Sequence, residues 1–278
     1  MELNINSLSR NYFSKGKPCP YKLKSGIEIL IYPILVRDCE LYDDCKTILE
    51  LDKRNINDEK IIQMSQLAFL DYTFHQDIVI DEQTQTTMGY NELQKFKGIF
   101  SLCLHEDYVA VTQDNNGKFI VLVADKKDES NGEDEDDFII KYTISNKDYI
   151  NISKIILFQN DANYDDEYIS PDVLKEYNAM MEIKMKGISA PTLERRKIFV
   201  LSRYRCSLEE IENMTYRMFE LLYNEYLDIE QYYVDNMYKT AYKFDIKENI
   251  SYPLFRPKKD KFKDLFMNKE SLNNKLGN

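Results

Sequence analysis

Two histidines, five cysteines and a surplus of carboxylates are the side chains of this 278-residue chain that could do chemistry. His75 and His105 are far apart, and neither belongs to an H-E-x-x-H helix or lies near a cysteine pair, spacings at which imidazoles share a zinc ion. Cys19, Cys39, Cys45, Cys103 and Cys206 are odd in number and include no C-x-x-C. That pattern points to buried, reduced thiols rather than a disulfide framework. The string DANYDDEYISPD at residues 161–172 puts Asp161, Asn163 and Asp165 at the first ligand positions of a calcium loop. Asp166 then stands where the sharp turn needs Gly, and Asp172 where a bidentate Glu is usual, so an acidic loop leading into a helix fits better. Phosphate-cradling and nucleophile-elbow motifs are absent, in keeping with only 8 Gly in the chain. No catalytic residue, metal ligand or cofactor is therefore assigned, and the chain reads as non-enzymatic.

The formal net charge is −11, which repels a phosphate backbone unless a local basic patch intervenes. Arg195, Arg196, Arg203 and Arg205 cluster ahead of a capped turn and a second helix, an arrangement like helix-turn-helix. The helix after the turn carries Glu209, Glu210, Glu212, Glu220 and Glu225, so its charge opposes DNA contact. The first 17 residues hold no apolar stretch of signal-peptide length, and the longest apolar run, residues 29–36, is too short to span a bilayer. A cytosolic protein with no membrane and no nucleic-acid partner is expected.

The hydrophobic pattern predicts an α+β fold in four parts. Residues 1–71 read as strand, helix, helix: GIEILIYPILV at 26–36 suits a buried strand broken at Pro33. Leu41, Cys45, Ile48 and Leu49 then suit one helix face, and Asp58 caps a second helix carrying Ile61, Ile62, Ser65, Ala68 and Phe69. Residues 72–158 read as an inserted antiparallel β unit with strands at 99–104, 108–112, 118–124 and 138–144, and a helix or strand at 152–158. Asp114-Asn115-Asn116-Gly117 supplies a hairpin turn, and the acidic stretch 125–137 reads as a solvated mobile loop.

Residues 159–250 read as a helical part. Pro171 suits the first turn of one helix, Thr192 starts another, and Ser207 with Glu210 forms a capping box. A long helix from residue 215 to about 244 carries Phe219, Leu222, Tyr223, Tyr226, Ile229, Tyr233 and Met237 at three- and four-residue steps. Phe219 and Leu222 are expected in the core, packed on the helix at 193–204. Tyr226 and Tyr233, with Arg256, Lys258, Phe262 and Phe266 of the basic-aromatic tail 251–278, are the candidate partner-binding residues. Tyrosine offers wide contact area and a polar tip that tolerates partial exposure.

Several stretches carry a resemblance. GKPCPYK at 16–22, IYPILVRD at 31–38, IIQMSQLAFL at 61–70, IILFQNDANYDDEYISPD at 155–172 and APTLERRKIFVLSRYRCSLEEIENMTYRMFELLYNEYL at 190–227 look like a group of bacteriophage proteins from Gram-positive hosts. The last stretch is also similar to phage tail assembly chaperones, with S-x-E-E-I-x-x-M-T ahead of a helix of Tyr, Phe and Leu. Such chaperones coat the apolar tape-measure protein before the tail tube polymerises, and they carry no catalytic residue or cofactor. The resemblance thus implies a chaperone-like binder of other phage tail proteins, the tape-measure protein among them, working in the host cytoplasm. The β-rich middle and the greater length depart from a simple helical chaperone. They leave open a structural virion subunit of the tail or baseplate, with an enzyme or an acidic DNA-binding regulator as minor alternatives.

Overall fold

The computed structural model describes residues 3–56, 58–81, 86–126, 138–166, 171–184 and 190–240. It is an α+β protein whose chain divides into two compact units, Met1–Asp165 with Cys206–Leu221, and Asp166–Arg205 with Leu222–Asn278. The acidic stretch lies almost wholly outside the described residues, as does the tail beyond Thr240.

The first unit opens with α1 (Ile5–Asn11) and a two-stranded antiparallel ribbon, β1 (Cys19–Lys22) and β2 (Glu28–Ile31). Along β2 Ile29 and Ile31 are buried while Glu28 and Leu30 are exposed, the period-two signature of a half-covered strand. The strand reading of 26–36 therefore holds only to Ile31. From Tyr32 on, the backbone bonds elsewhere: the Tyr32 amide donates to Cys103 O (2.7 Å) and the Ile34 amide to Asn160 Oδ1 (2.7 Å).

Helix α2 (Cys39–Cys45) buries Cys39, Tyr42 and Cys45, and a 3₁₀ turn then buries Ile48. Leu41 is 54% exposed, so the predicted face through it is corrected. The inward row runs through the three-residue steps of 39, 42 and 45, and Leu41 falls at the edge of that row. Asp58 does cap α3 (Glu59–Gln63), accepting from the Lys60 amide. The single helix expected there is two, however. Met64 and Ser65 are extended, and Ser65 caps α4 (Gln66–Phe74) by accepting from the Ala68 amide.

Next come a short ribbon, β3 (Val79–Asp81) with β4 (Thr86–Thr87), and helix α5 (Met88–Leu104). Residues 99–104, read as a strand, are the end of α5. Phe96, Ile99, Phe100 and Cys103 recur at three- and four-residue steps and are all buried, so the helical period overrode β-propensity. The antiparallel sheet β5 (Tyr108–Gln113), β6 (Phe119–Lys126) and β7 (Phe138–Ser145) follows in that order. The Asp114–Gly117 turn joins β5 to β6 as expected, with Gly117 at φ 72°. Val109, Val121, Val123 and Ile144 form the sheet's buried side, and α4 and α6 (Asn146–Asn160) pack with the sheet in this same unit. The described residues of 72–158 fall within the first compact unit.

The chain returns to the first unit after the second has begun. α9 (Leu208–Glu212) carries the predicted capping box. Ser207 Oγ accepts from the Glu210 amide (3.1 Å), and the Glu210 carboxylate accepts from the Ser207 amide (2.7 Å). Those bonds hold the Glu210 carboxyl below its ordinary range. A depressed folded pKa stabilises the fold above the unfolded value, and that contribution disappears as pH falls through the folded value. Side-chain NMR titration of Glu210 is expected to show a midpoint on the acid side of an ordinary glutamate, moving only part of the way back when Ser207 is changed to Ala, because the hydroxyl bond is lost while the residue-207 amide still donates to the carboxylate.

Met214, Thr215 and Tyr216 then bond to the segment after β2. The Val36 amide donates to Met214 O (3.0 Å) and the Tyr216 amide to Ile34 O (2.8 Å). Tyr216 and Phe219 open α10 (Tyr216–Thr240) and are buried. Arg217 adds to the same contact, donating to Phe158 O (2.8 Å) and Asp161 O (2.9 Å), carbonyls at the C-terminal end of α6, where a cation complements the helix dipole. The second unit contains α7 (Pro171–Lys184), which Pro171 opens, then α8 (Leu193–Tyr204) behind the Thr192 cap, and the distal part of α10.

Candidate functional site

The aromatic stripe of α10 divides along its length. Phe219 is fully buried within the first unit and Leu222 is half-buried. In the second unit Phe199 of α8 meets Tyr223 and Tyr226 edge-on, with ring centroids 5.8 and 6.4 Å apart. Arg196 lies over the Tyr223 ring and Arg203 over Phe199, each 5.8 Å from the centroid. Arg203 also pairs with Glu230. Tyr226, a candidate contact residue, is therefore half-buried against α8, and an alanine there would disturb α8–α10 packing as well as any surface.

Tyr233 is 56% exposed, its ring 5.7 Å from Tyr232. Leu227, Val234, Met237 and Tyr238 are exposed too. Their three-, four- and seven-residue spacings gather them with Tyr233 on one broad side of the helix. Sequence periodicity marked Tyr233 and Met237 as apolar-face residues. It did not show that this stretch of the face stays open, because amphipathicity alone does not say what covers a stripe. Arg256, Lys258, Phe262 and Phe266 lie outside the described residues.

The other groups with possible chemistry are engaged locally. Among the described residues, no three or more His, Cys, Asp or Glu side chains converge to hold a metal ion. Asp161 ends α6, and its carboxylate accepts from the Asn163 amide (2.8 Å), an Asx turn. His75 Nδ1 lies 2.7 Å from Asp71 O at the end of α4. His105, in the left-handed region at φ 58°, stacks on Tyr32 with centroids 4.0 Å apart. Four thiols are buried, and burial raises the pKa of Cys19 to about 11 and lifts Cys103 further, which suppresses the reactive thiolate. Two of the clustered arginines, Arg196 and Arg203, lie against aromatic rings of α8 and α10.

No protein-family model, curated protein or solved structure matches this chain. Function has to be argued from the surfaces themselves.

A second surface was not anticipated from the sequence. Asp148, in the first turn of α6, is buried, and its two oxygens gather three donors from three segments. Tyr21 OH donates to Oδ1 (2.9 Å), while the Lys24 amide (3.2 Å) and Ser145 Oγ (2.7 Å) donate to Oδ2. Asn151 Nδ2 donates to Tyr21 OH (3.0 Å), and Asn146 Oδ1 accepts from the Leu67 amide (2.9 Å). This network ties β1, the β1–β2 turn, α4 and α6 together around a groove of about 1240 Å³. The motif S-x-x-D at Ser145–Asp148 is a legible helix start. The 124 to 127 residues between Asp148 and its partners Lys24 and Tyr21 made the rest invisible.

Proposed function

We propose that this chain is a non-enzymatic bacteriophage morphogenesis protein, a chaperone-like binder of other tail proteins. The observation that supports a binding surface is the open apolar face of distal α10, made by Leu227, Tyr233, Val234, Met237 and Tyr238. An aromatic and aliphatic helix face suits a partner helix whose own apolar residues repeat at helical spacing. A tape-measure protein, long and apolar, has that character. The tail origin rests on the resemblance of residues 16–22, 31–38, 61–70, 155–172 and 190–227 to phage proteins. No helix among the described residues is long and apolar enough to cross a membrane.

The test pairs two measurements. Changing Tyr233 and Met237 together to Ala is expected to weaken binding to the tape-measure protein of the same phage genome by about tenfold or more, since hot-spot residues each contribute more than about 1 kcal/mol. Both side chains are exposed, so the melting temperature should stay close to that of the parent. Unchanged affinity would remove the α10 face from the reading. Mass spectrometry of purified virions should find the chain absent. Stoichiometric presence would instead favour a structural subunit of the tail or baseplate.

A further inference from the structure

We propose that the groove above Asp148 binds a short extended peptide of a partner protein that carries carboxylates beside apolar side chains. The groove belongs to the first unit and is independent of both the α10 face and the phage reading. It is bounded by α1, by β1 and the turn after it, by the β5–β6 turn, and by the starts of α4 and α6.

Its size is the first argument. At about 1240 Å³ it exceeds the roughly 300–1,000 Å³ of ordinary small-molecule pockets and has room for several residues of extended chain. Its walls are the second. Leu8, Pro20, Phe119 and Ile120 line it and are half-buried, so they offer apolar contact without being sealed off. A bare inorganic anion would make no use of these walls.

Charge is the third argument. Lys22, Lys24, Lys118 and Lys147 line the groove and are exposed, and none forms a salt bridge among the described residues. The two carboxylates there already have donors. Asp148 accepts the three bonds given above, and Asp114 Oδ1 accepts from the Asn116 and Lys118 amides at 2.8 Å each. Helices α4 and α6 both start at this groove, with their caps Ser65 and Ser145 in its lining, and the positive ends of their dipoles add to the lysines. A chain of net charge −11 therefore has a local positive, partly apolar trough.

The same numbers favour a peptide over nucleic acid. A polynucleotide extends far past the groove and meets the repulsion of the whole acidic surface. A segment of a few residues senses charges mostly within a Debye length, about 8 Å at physiological salt, where the lysines dominate.

The experiment selects seven-residue peptides from an unbiased random display library on the full chain and measures the selected peptides by fluorescence anisotropy. Asp and Glu should be enriched next to Leu, Ile or Phe. Binding should fall at least tenfold with Lys22→Glu and Lys118→Glu combined, and should weaken as salt rises. Lys175→Glu, an exposed position in α7, should leave binding unchanged and so separates the groove from overall charge. The lysine variants alter exposed side chains only, and a thermal melt matching the parent confirms that they fold. Should those variants unfold, Lys22→Gln with Lys118→Gln repeats the test without charge reversal. Peptides without acidic enrichment, or undiminished binding by a folded lysine variant, would overturn the proposal. So would tighter, lysine-dependent binding of a twelve-residue oligothymidylate, which would assign the groove to single-stranded nucleic acid.

Discussion

Phe219→Ala is expected to lower the unfolding free energy of the first unit by about 3–5 kcal/mol, the range for deleting an enclosed phenyl ring. Phe219 has no exposed surface, and it lies one turn after the backbone bonds that join residues 214–216 to Ile34–Val36. The neighbouring Tyr216 is equally committed. Its ring meets Tyr42 at 6.2 Å, and its hydroxyl donates to Asp43 (2.9 Å). A cavity here cannot collapse easily, because both sides are held by hydrogen bonds as well as by packing. Urea denaturation should show the loss as a lower midpoint at similar slope. Tyr233→Ala, on the same helix but 56% exposed, should change stability by less than about 0.5 kcal/mol. A loss below about 1 kcal/mol for Phe219→Ala would mean that the return segment 206–221 is not integral to the first unit.

Gly89→Ala should also destabilise, against the usual sign. In an open helical position this change gains up to about 1 kcal/mol from helix propensity. At Gly89 an added Cβ would lie 2.3 Å from Phe74 O, 2.7 Å from Phe74 C and 2.9 Å from the Gln76 amide nitrogen. These are backbone atoms that no rotamer change can move. Gly89 also donates its own amide to Gln76 O (3.0 Å), so separating the segments breaks that bond. Overpacking of this kind costs about 1–3 kcal/mol and sometimes more, which exceeds the propensity gain. The net expectation is a loss of about 2 kcal/mol, read as a lowered midpoint in denaturant. Gly98→Ala is the comparison. Its Cβ would come within 2.6 Å of Cys45 Sγ, a side-chain atom that can rotate aside, so its effect should be smaller. A Gly89→Ala protein as stable as the parent would show that α4 and α5 are not held at this distance.

The binding surfaces follow the same contrast between local and distant information. Tyr226 and Tyr233 look equivalent by spacing, yet one packs edge-on against Phe199 while the other is 56% exposed. A partner-binding assay on Tyr226→Ala alone would therefore confound packing with recognition, which is why Tyr233 and Met237 carry the test.

Whatever depends on neighbours a few residues apart was determined by the sequence itself. The caps at Asp58, Thr192 and Ser207, the Asp114–Gly117 turn with Gly117 in the left-handed region, and the starts of α7 and α8 all rest on hydrogen bonds or dihedral preferences local to the segment. The α+β class followed from those elements and their hydrophobic periods. Where a short apolar run fitted two periods, the sequence could not choose. Residues 99–104 joined α5 because Phe96, Ile99, Phe100 and Cys103 bury one helical side, a preference set by what packs against them. Only the tertiary structure brought residues 206–221 back to Ile34 and Val36, left part of the α10 face open, and turned Asp148, Tyr21 and four lysines scattered between residues 22 and 147 into one groove. The first and last of these outcomes depend on contacts between segments more than a hundred residues apart, and such contacts leave no periodic or capping signal along the chain.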